Sequence, residues 1–364
     1  MKNVGIYIHV PFCGKKCSYC DFYSVCYTQQ QAELYVEAVL RNIRHYGSGD
    51  IIAETVYFGG GTPSLLSPQN IERLTACIRE HFILADDAEI TMEANPATLT
   101  PDKLSAYRKA GINRLSIGVQ SMNDHELKFL GRLHNAERAE KAVNDAAAAG
   151  FGNISCDLMT ALPSQSADDM LRSVRRLAAL PVSHISAYML KIEEGTPFDC
   201  DDIKRAMPDE DKSAELYLAM CEELENNGFM QYEVSNFAKK GFESRHNCRY
   251  WKCQDYIGIG PSAHSCYGGR RFAVPRDVEA FINSEVQPFE ITDKSPCGFE
   301  EYSMLRLRLK EGLDLQRVHE HRGEIEKKLP SLLKAGYIEY DGNIVSLTRK
   351  GFLMSNSVIE YLIF

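Results

Sequence analysis

Short apolar runs alternate with longer amphipathic stretches along the first half of the chain. Val4–His9, Glu54–Phe58, Glu89–Glu93, Arg114–Val119, Gly152–Leu158 and His184–Leu190 read as strands, each bounded by turn or helix signals. Between them, helical periodicity covers Gln30–His45, a stretch after Ser67-Pro68, a stretch opened by Thr100-Pro101, Asn135–Ala149 and Ala167–Leu180. Thr100 suits an N-cap and Pro101 the first helical position, while Gly150 stops the alanine-rich helix before it. Six strands alternating with helices predict a parallel sheet. Polar residues recur at the strand C-terminal ends, where a β/α barrel builds its site. The expected fold class is therefore α/β, a partial TIM-like barrel of six β/α units.

After Pro197 the pattern fades. A helix at Asp209–Asn227 precedes an irregular, aromatic and glycine-rich stretch reaching Arg271. From Ser295 the pattern changes again. Pro296–Leu309 and Leu315–Lys334 read as helices, Tyr337–Tyr340 and Ile344–Leu347 as a hairpin turning on Asp341-Gly342, and a last helix starts at Thr348. These features predict three segments, 1–200, 201–294 and 295–364, the last a small α+β, winged-helix-like domain. That shape often binds DNA, but nothing basic and aromatic-interleaved marks it here, so a lid or docking role is expected.

Composition narrows the function classes. The chain has 364 residues, 44% hydrophobic and 25% charged, ordinary for a globular protein of one large and one small domain. A net charge of −9 argues against a general nucleic-acid binder but leaves room for a local basic pocket. No run approaches the roughly 20 apolar residues that span a bilayer. Twelve cysteines with no secretory signal predict a reducing, cytoplasmic setting.

Three of those cysteines crowd one loop. Cys13, Cys17 and Cys20 stand in His9-Val-Pro-Phe-Cys-Gly-Lys-Lys-Cys-Ser-Tyr-Cys-Asp-Phe, spaced C-x3-C-x2-C. Three thiolates on one loop can hold three irons of a 4Fe–4S cluster and leave the fourth open to a small molecule. The competing site is structural zinc on the three cysteines and His9, although such sites favour two C-x2-C knuckles well apart in sequence. The remaining cysteines are scattered singly and read as small buried hydrophobes.

Phe58-Gly59-Gly60-Gly61-Thr62-Pro63-Ser64 closes the second strand. Glycines let a backbone approach a ligand and offer unhindered N–H and C=O groups; a tight strand-to-helix turn is the plain alternative. Glu93 in Glu-Ala-Asn-Pro, Gln120 in Gly-Val-Gln-Ser and Asp157 in Cys-Asp-Leu-Met then sit at later strand ends. Each alone reads as a helix cap; repeated at equivalent positions, they read as a polar ring around a ligand. Arg132, in Gly-Arg-Leu-His, either neutralises a carboxylate with its fork of donors or lies solvated.

A second unusual run is Arg245-His246-Asn247-Cys248-Arg249-Tyr250-Trp251, which holds the lone tryptophan. Haem asks for an axial His, Cys or Tyr, flat apolar walls, and cations for its propionates. An aromatic core segment with a satisfied histidine is the alternative. Downstream, Gly258-Ile-Gly-Pro-Ser-Ala-His264 reads as a ligand-facing loop or an ordinary turn.

Together these residues resemble a known family. Tyr7-Ile-His-Val-Pro-Phe-Cys13 with Cys17 and Cys20-Asp21-Phe22, Gly59-Gly-Gly-Thr-Pro, Glu93-Ala-Asn-Pro, Gly118-Val-Gln120-Ser and Asp157-Leu-Met-Thr-Ala-Leu-Pro resemble the oxygen-independent coproporphyrinogen III oxidase branch of radical SAM proteins. Glu233-Val-Ser-Asn-Phe-Ala and His246-Asn-Cys-Arg-Tyr-Trp251 resemble its HemW group. The resemblance covers nearly the whole chain. It implies a radical SAM partial barrel, a 4Fe–4S cluster on Cys13, Cys17 and Cys20, and S-adenosylmethionine (SAM) chelating the open iron. One electron from such a cluster cleaves the sulfonium and yields a 5′-deoxyadenosyl radical. The implied SAM contacts are Tyr7, Tyr19, Gly60, Gly61, Thr62, Glu93, Gln120, Arg132 and Asp157. Acids suit the ammonium and ribose, Gln120 a polar edge, and Arg132 the carboxylate.

HemW proteins are regarded as haem chaperones that deliver haem to respiratory proteins. Their H-N-x-x-Y-W run is tied to haem, which points to His246 with Asn247, Tyr250 and Trp251 around it, and Cys248 as rival ligand. The implied partners are haem, a haem-accepting respiratory protein and an electron donor for the cluster; transient membrane association and a homodimer accompany them. Two departures stand out. The decarboxylase has a further cysteine two places after the third cluster ligand, where this chain has Phe22. The usual Tyr-Gly of Asp-Leu-x-Tyr-Gly-Leu-Pro is Thr160-Ala161. The expected function is a haem chaperone. The alternatives are coproporphyrinogen III decarboxylation or another SAM-dependent porphyrin reaction, and a plain iron–sulfur or zinc structural protein.

Overall fold

The computed structural model describes residues 1–364. Its core is six strands side by side in chain order: β1 (Lys2–Val10), β2 (Ile51–Gly60), β3 (Ile83–Ala94), β4 (Arg114–Gln120), β5 (Asn153–Thr160) and β6 (His184–Met189). Every neighbouring pair is parallel. Ile6, Ile8, Phe58, Met92, Ile117 and Ile154 are fully buried, as expected where helices cover a parallel sheet. The crossovers carry α1 (Gln29–Tyr46), α2 (Pro68–His81), α3 (Pro101–Ala110), α4 (Asp124–Phe129), α5 (Ala136–Ala148) and α6 (Ala167–Ala178). Their ends follow local chemistry. Thr100 accepts from the Lys103 N–H, Asn135 accepts from that of Arg138, and Gly111 closes α3 in the left-handed region at φ 100°. The six expected β/α units are the observed ones; the short α4 was not visible in the periodicity.

The stretch 201–294 returns to the same sheet. Asn236–Ala238 pairs antiparallel with β6, and Met230–Gln231 lies beyond it. At the other edge Tyr256–Ile259 runs parallel to β1, followed by antiparallel strands His264–Tyr267, Arg270–Ala273 and Glu290–Asp293. Twelve strands result. These late strands are four residues or shorter, too brief for alternation to declare them in sequence.

The helix Arg245–Trp251, capped by Ser244, fills the end of the barrel opposite the strand C-termini. Arg249, 3% exposed, is ion-paired with Glu54 of β2 and donates to the carbonyls of Asn3 (2.9 Å) and Asp255 (3.0 Å). Arg245 donates to the Asp87 carbonyl at 2.6 Å. The backbone N–H groups of Arg245 and His246 donate to the two Glu89 carboxylate oxygens, at 3.2 and 3.0 Å.

Past Ser295, helices Phe299–Leu307 and Arg322–Ala335 pack with a three-stranded antiparallel sheet. Ile344–Leu347 lies between Ile338–Tyr340 and Leu313–Asp314. The hairpin turns where Asp341-Gly342 predicts it. Leu315–Lys334, expected as one helix, is not: the Leu315 N–H donates to the Asn343 carbonyl at 3.0 Å, a 3-10 turn follows at His319–His321, and α-helix begins only at Arg322. The last helix divides at Met354. No helix is long and apolar enough to cross a membrane.

Arg249→Ala strips donors from one carboxylate and two carbonyls. It is expected to cost about 1.5–3 kcal/mol, read as a lower urea midpoint at unchanged slope. Arg245→Ala, facing the exposed Asp87, should cost less than about 1 kcal/mol.

Candidate functional site

The C-terminal ends of the barrel strands and the cysteine loop enclose a cavity of about 570 Å³. Cys13, Cys17, Cys20, Tyr19, Gly60, Gly61, Thr62, Glu93, Gln120, Arg132 and Asp157 all line it. Parallel register sets this convergence. Gly60 lies beside Val10, Glu93 beside Ser116, and Asp157 beside Ser186, so each strand delivers its polar residue near one level.

The three thiols have cationic and hydroxyl company. Arg132 Nη1 donates to Cys17 Sγ at 3.4 Å and to the Tyr19 hydroxyl at 3.5 Å, while Nη2 donates to the Gly118 carbonyl at 2.7 Å. Cys13 Sγ lies 3.6 Å from Thr62 Oγ1. His9 is not a fourth ligand. Its Nδ1 meets the Tyr7 hydroxyl and its Nε2 the Tyr23 carbonyl, both at 3.1 Å, and burial lowers its pKa to about 4. Three thiols without a fourth donor fit a cluster with one open iron better than a closed zinc site.

The glycine run serves packing first. A Cβ on Gly61 would lie 2.6 Å from the Phe12 carbonyl oxygen. One on Gly60, at φ 110°, would meet the His9 ring at 2.7 Å. The Gly60 N–H donates to Glu93 Oε2 at 3.0 Å, so this glycine holds an acid rather than offering its N–H to a ligand.

Glu93 also accepts from the Tyr57 hydroxyl at 2.9 Å, and Asp157 accepts from Ser116 Oγ at 3.3 Å. Enclosure raises the Glu93 pKa to about 7, with the Asp157 charge adding to the shift. Enclosure likewise raises Asp157 to about 6. Arg114, 2% exposed, lines the same cavity, and its field partly offsets both shifts. Sequence reasoning missed Arg114 because an arginine opening a strand reads as a solvated end. A cation bound between these carboxylates would favour the ionised forms that desolvation disfavours. Gln120 holds φ 70°, a left-handed conformation costing on the order of 1 kcal/mol in a non-glycine residue. Tyr7 is not in the cavity wall; it stacks beside Tyr57 and His246 and supports the wall from beneath.

Residues 7–177 match the radical SAM superfamily. The haem chaperone HemW of Lactococcus lactis is 33% identical over 99% of this chain and 97% of its own length. HemW of Escherichia coli is 35% identical over 98% and 97%. Among solved structures, the E. coli coproporphyrinogen III oxidase HemN aligns with a TM-score of 0.84 at 23% identity, covering 100% of this chain and 90% of its own. The last likeness shows the shared fold. The chain belongs to the HemW family of radical SAM proteins. Radical SAM membership implies a 4Fe–4S cluster and SAM, and the open thiol trio and enclosed acids fit both. Bound there, they supply one-electron cleavage of a carbon–sulfur bond; the chain's part is to hold the iron ligands, orient the acids and limit water.

The H-N-x-x-Y-W run of this HemW-family chain lies under the cavity, not around it. Only Asn247 reaches the lining. His246 is 1% exposed; its Nδ1 meets Thr55 Oγ1 at 2.8 Å and its Nε2 the Tyr250 hydroxyl at 2.7 Å. Burial lowers its pKa to about 3, and its ring stacks on Tyr57 at 5.0 Å. Tyr250 packs edge-on against Tyr256, and Trp251 is half-buried at the helix end. Burial pushes the Cys248 thiol up to about 12, so it is not a ready thiolate. Arg245 and Arg249 are committed to the barrel. Of the two readings of this run, the fold builds the aromatic core segment with a satisfied histidine. The imidazole finds two hydroxyls in the narrow end of the barrel, and the run becomes its floor. The Gly258–His264 loop is structural as well: a Cβ on Gly260 would meet the His9 carbonyl oxygen at 2.5 Å. Ala161 holds φ 55°, where the family glycine would be unstrained.

Replacing Cys13, Cys17 or Cys20 by Ala should abolish the reduced-cluster EPR signal of the reconstituted protein. Cys26→Ala should keep it, because exposed Cys26 lies outside the cavity wall; equal loss there would overturn the ligand assignment. Glu93→Gln and Asp157→Asn should keep the cluster yet weaken SAM binding by about 1.5–3 kcal/mol each, measured calorimetrically. Unchanged affinity in both would remove them from the site.

Proposed function

We propose that the protein is a haem chaperone. It binds haem and passes it to a respiratory acceptor, with SAM and a 4Fe–4S cluster held in the barrel. The observation that carries this reading is membership of the HemW family along nearly the whole chain. The cluster ligands are Cys13, Cys17 and Cys20, and the SAM contacts are those that line the cavity, with Tyr7 behind them. Phe22, 68% exposed at the cavity wall, stands where the decarboxylase has a further cysteine, which speaks against coproporphyrinogen III as substrate.

A haem-ligand role for His246 requires the helix Arg245–Trp251 to leave the barrel floor and give up the Thr55 and Tyr250 bonds. Without that motion the run supports the SAM cavity through Tyr57 and Glu93. The same reading implies a cytoplasmic protein, an electron donor for the cluster, transient membrane association during transfer, and a homodimer as the assembly to look for.

Titration of the cluster-loaded protein with haem is expected to give stoichiometric binding, and incubation with SAM, reductant and coproporphyrinogen III no protoporphyrinogen IX. No haem binding together with multiple turnovers of product would install the decarboxylase instead.

A further inference from the structure

Three cysteines that stand far apart in the sequence meet in the fold. Cys253 follows the helix Arg245–Trp251, Cys266 sits on the strand His264–Tyr267, and Cys297 precedes the helix Phe299–Leu307. The Cys297 thiol lies within hydrogen-bonding reach of both others, accepting from Cys266 and donating to Cys253. Ordered contacts set this convergence. Cys266 faces Tyr256 on one side and Arg271 on the other in antiparallel register. The Arg271 guanidinium pairs with Glu301 Oε1 at 2.6 Å, and Glu301 Oε2 accepts the Cys297 N–H at 2.7 Å. The Cys253 N–H donates to the Tyr250 carbonyl at 3.2 Å, which turns the chain back at the helix end.

The backbone singles out two of the three. Cys253 holds φ 52° and Cys297 φ 64°, two of the six non-glycine residues with positive φ. Such conformations persist only where the surroundings impose them, and they collect at switch regions. A left-handed turn favours glycine or asparagine, so neither turn explains a cysteine. What the two positions share is the meeting of their thiols. Access divides the trio in the same way. Cys266 is 5% exposed, whereas Cys253 and Cys297 are half-buried and open to a small reagent. The hydrogen bond from Cys297 lowers the Cys253 pKa, and giving that bond raises Cys297 to about 11. The thiolate is the attacking form, which makes Cys253 the first to react. The neighbouring Lys252 pairs with Glu311 at 2.9 Å, so this end of the helix already touches the last segment of the chain.

We propose that Cys253 and Cys297 form a reversible disulfide latch, which ties the helix carrying H-N-x-x-Y-W to the C-terminal domain. The oxidant is a low-molecular-weight disulfide. The Cys253 thiolate attacks one of its sulfurs and expels the other as a thiolate, leaving a mixed disulfide on Cys253. Cys297 then gives up its proton, attacks the Cys253 sulfur and expels the second small thiolate. Two protein thiols lose two electrons, and one small disulfide is reduced to two thiols. In a reducing compartment such bonds are transient and report redox state. The bond itself is independent of the haem-chaperone reading. Its consequence rests on that reading: His246 reaches haem only when this helix leaves the barrel floor, and the latch opposes that motion.

The test uses full-length, cluster-loaded protein, kept anaerobic and treated with glutathione disulfide. Free thiols are alkylated and the tryptic peptides analysed by mass spectrometry. The peptide holding Cys253 should be joined to that holding Cys297 in the wild type and in Cys266→Ser, and dithiothreitol should separate them. The two should stay apart in Cys253→Ser and in Cys297→Ser, and the cluster EPR signal should be unchanged throughout. Amide hydrogen exchange in Arg245–Trp251 should slow about tenfold or more in the oxidised wild type, and haem uptake with it. Cys297→Ser should show neither change. Peptides that never join, or that join through Cys266 instead, would overturn the latch. Joined peptides with exchange and haem uptake unchanged would overturn its hold on the helix. No haem binding by the reduced wild type would overturn the chaperone reading and leave the latch standing, because the cross-link and the exchange are read without haem.

Discussion

Two carboxylates enclosed at one level of the barrel set the terms for what surrounds them. Glu93 and Asp157 arrive on separate strands, and parallel register brings them to the same cavity. Desolvation makes ionising both of them costly. The protein answers with hydroxyls, a backbone N–H and the nearby field of Arg114, but with no direct ion pair. The neutralisation is incomplete, which leaves the cavity suited to a cationic ligand.

From Glu93 the dependence runs outward in two directions. Toward the mouth, the Gly60 N–H ties the acid to the turn that carries Thr62, which touches Cys13. Toward the floor, Tyr57 links it to the ring of His246, and His246 is fixed by Thr55 and Tyr250. The two runs that stand out most in the sequence, the cysteine loop and H-N-x-x-Y-W, are thus opposite ends of one packed column. A change in the floor helix can reach the acids without touching a ligand.

The cysteine trio was legible because its chemistry is local: three residues within one loop need no tertiary information. Glu93, Gln120 and Asp157 were legible because the β/α repeat puts strand ends at equivalent heights. Tyr57 and Arg114 were not, since facing the barrel interior is a property of register rather than of composition. His246 left two readings open, a haem ligand and a satisfied histidine in an aromatic core segment, and its place in the fold is the second for a related reason. Its neighbours Arg245, Cys248 and Trp251 suggest a ligand pocket, but its position depends on Thr55 and Glu89, far away in sequence. The edge strands between 256 and 293 escaped because they are too short to show a period.

The most direct test of the central claim counts protons. Glu93 and Asp157, with pKa values raised to about 7 and about 6, are partly protonated near neutrality. A bound cation lowers both values, so SAM binding must expel protons just below pH 7 and lose that contribution once the acids are already ionised at higher pH. Calorimetry of SAM binding to cluster-loaded protein, in buffers of different ionisation enthalpy, measures the release. The wild type should release more protons at pH 6.5 than the Glu93→Gln/Asp157→Asn double variant, and the difference should vanish by pH 8.5. Equal release from the two proteins at pH 6.5 would contradict the account.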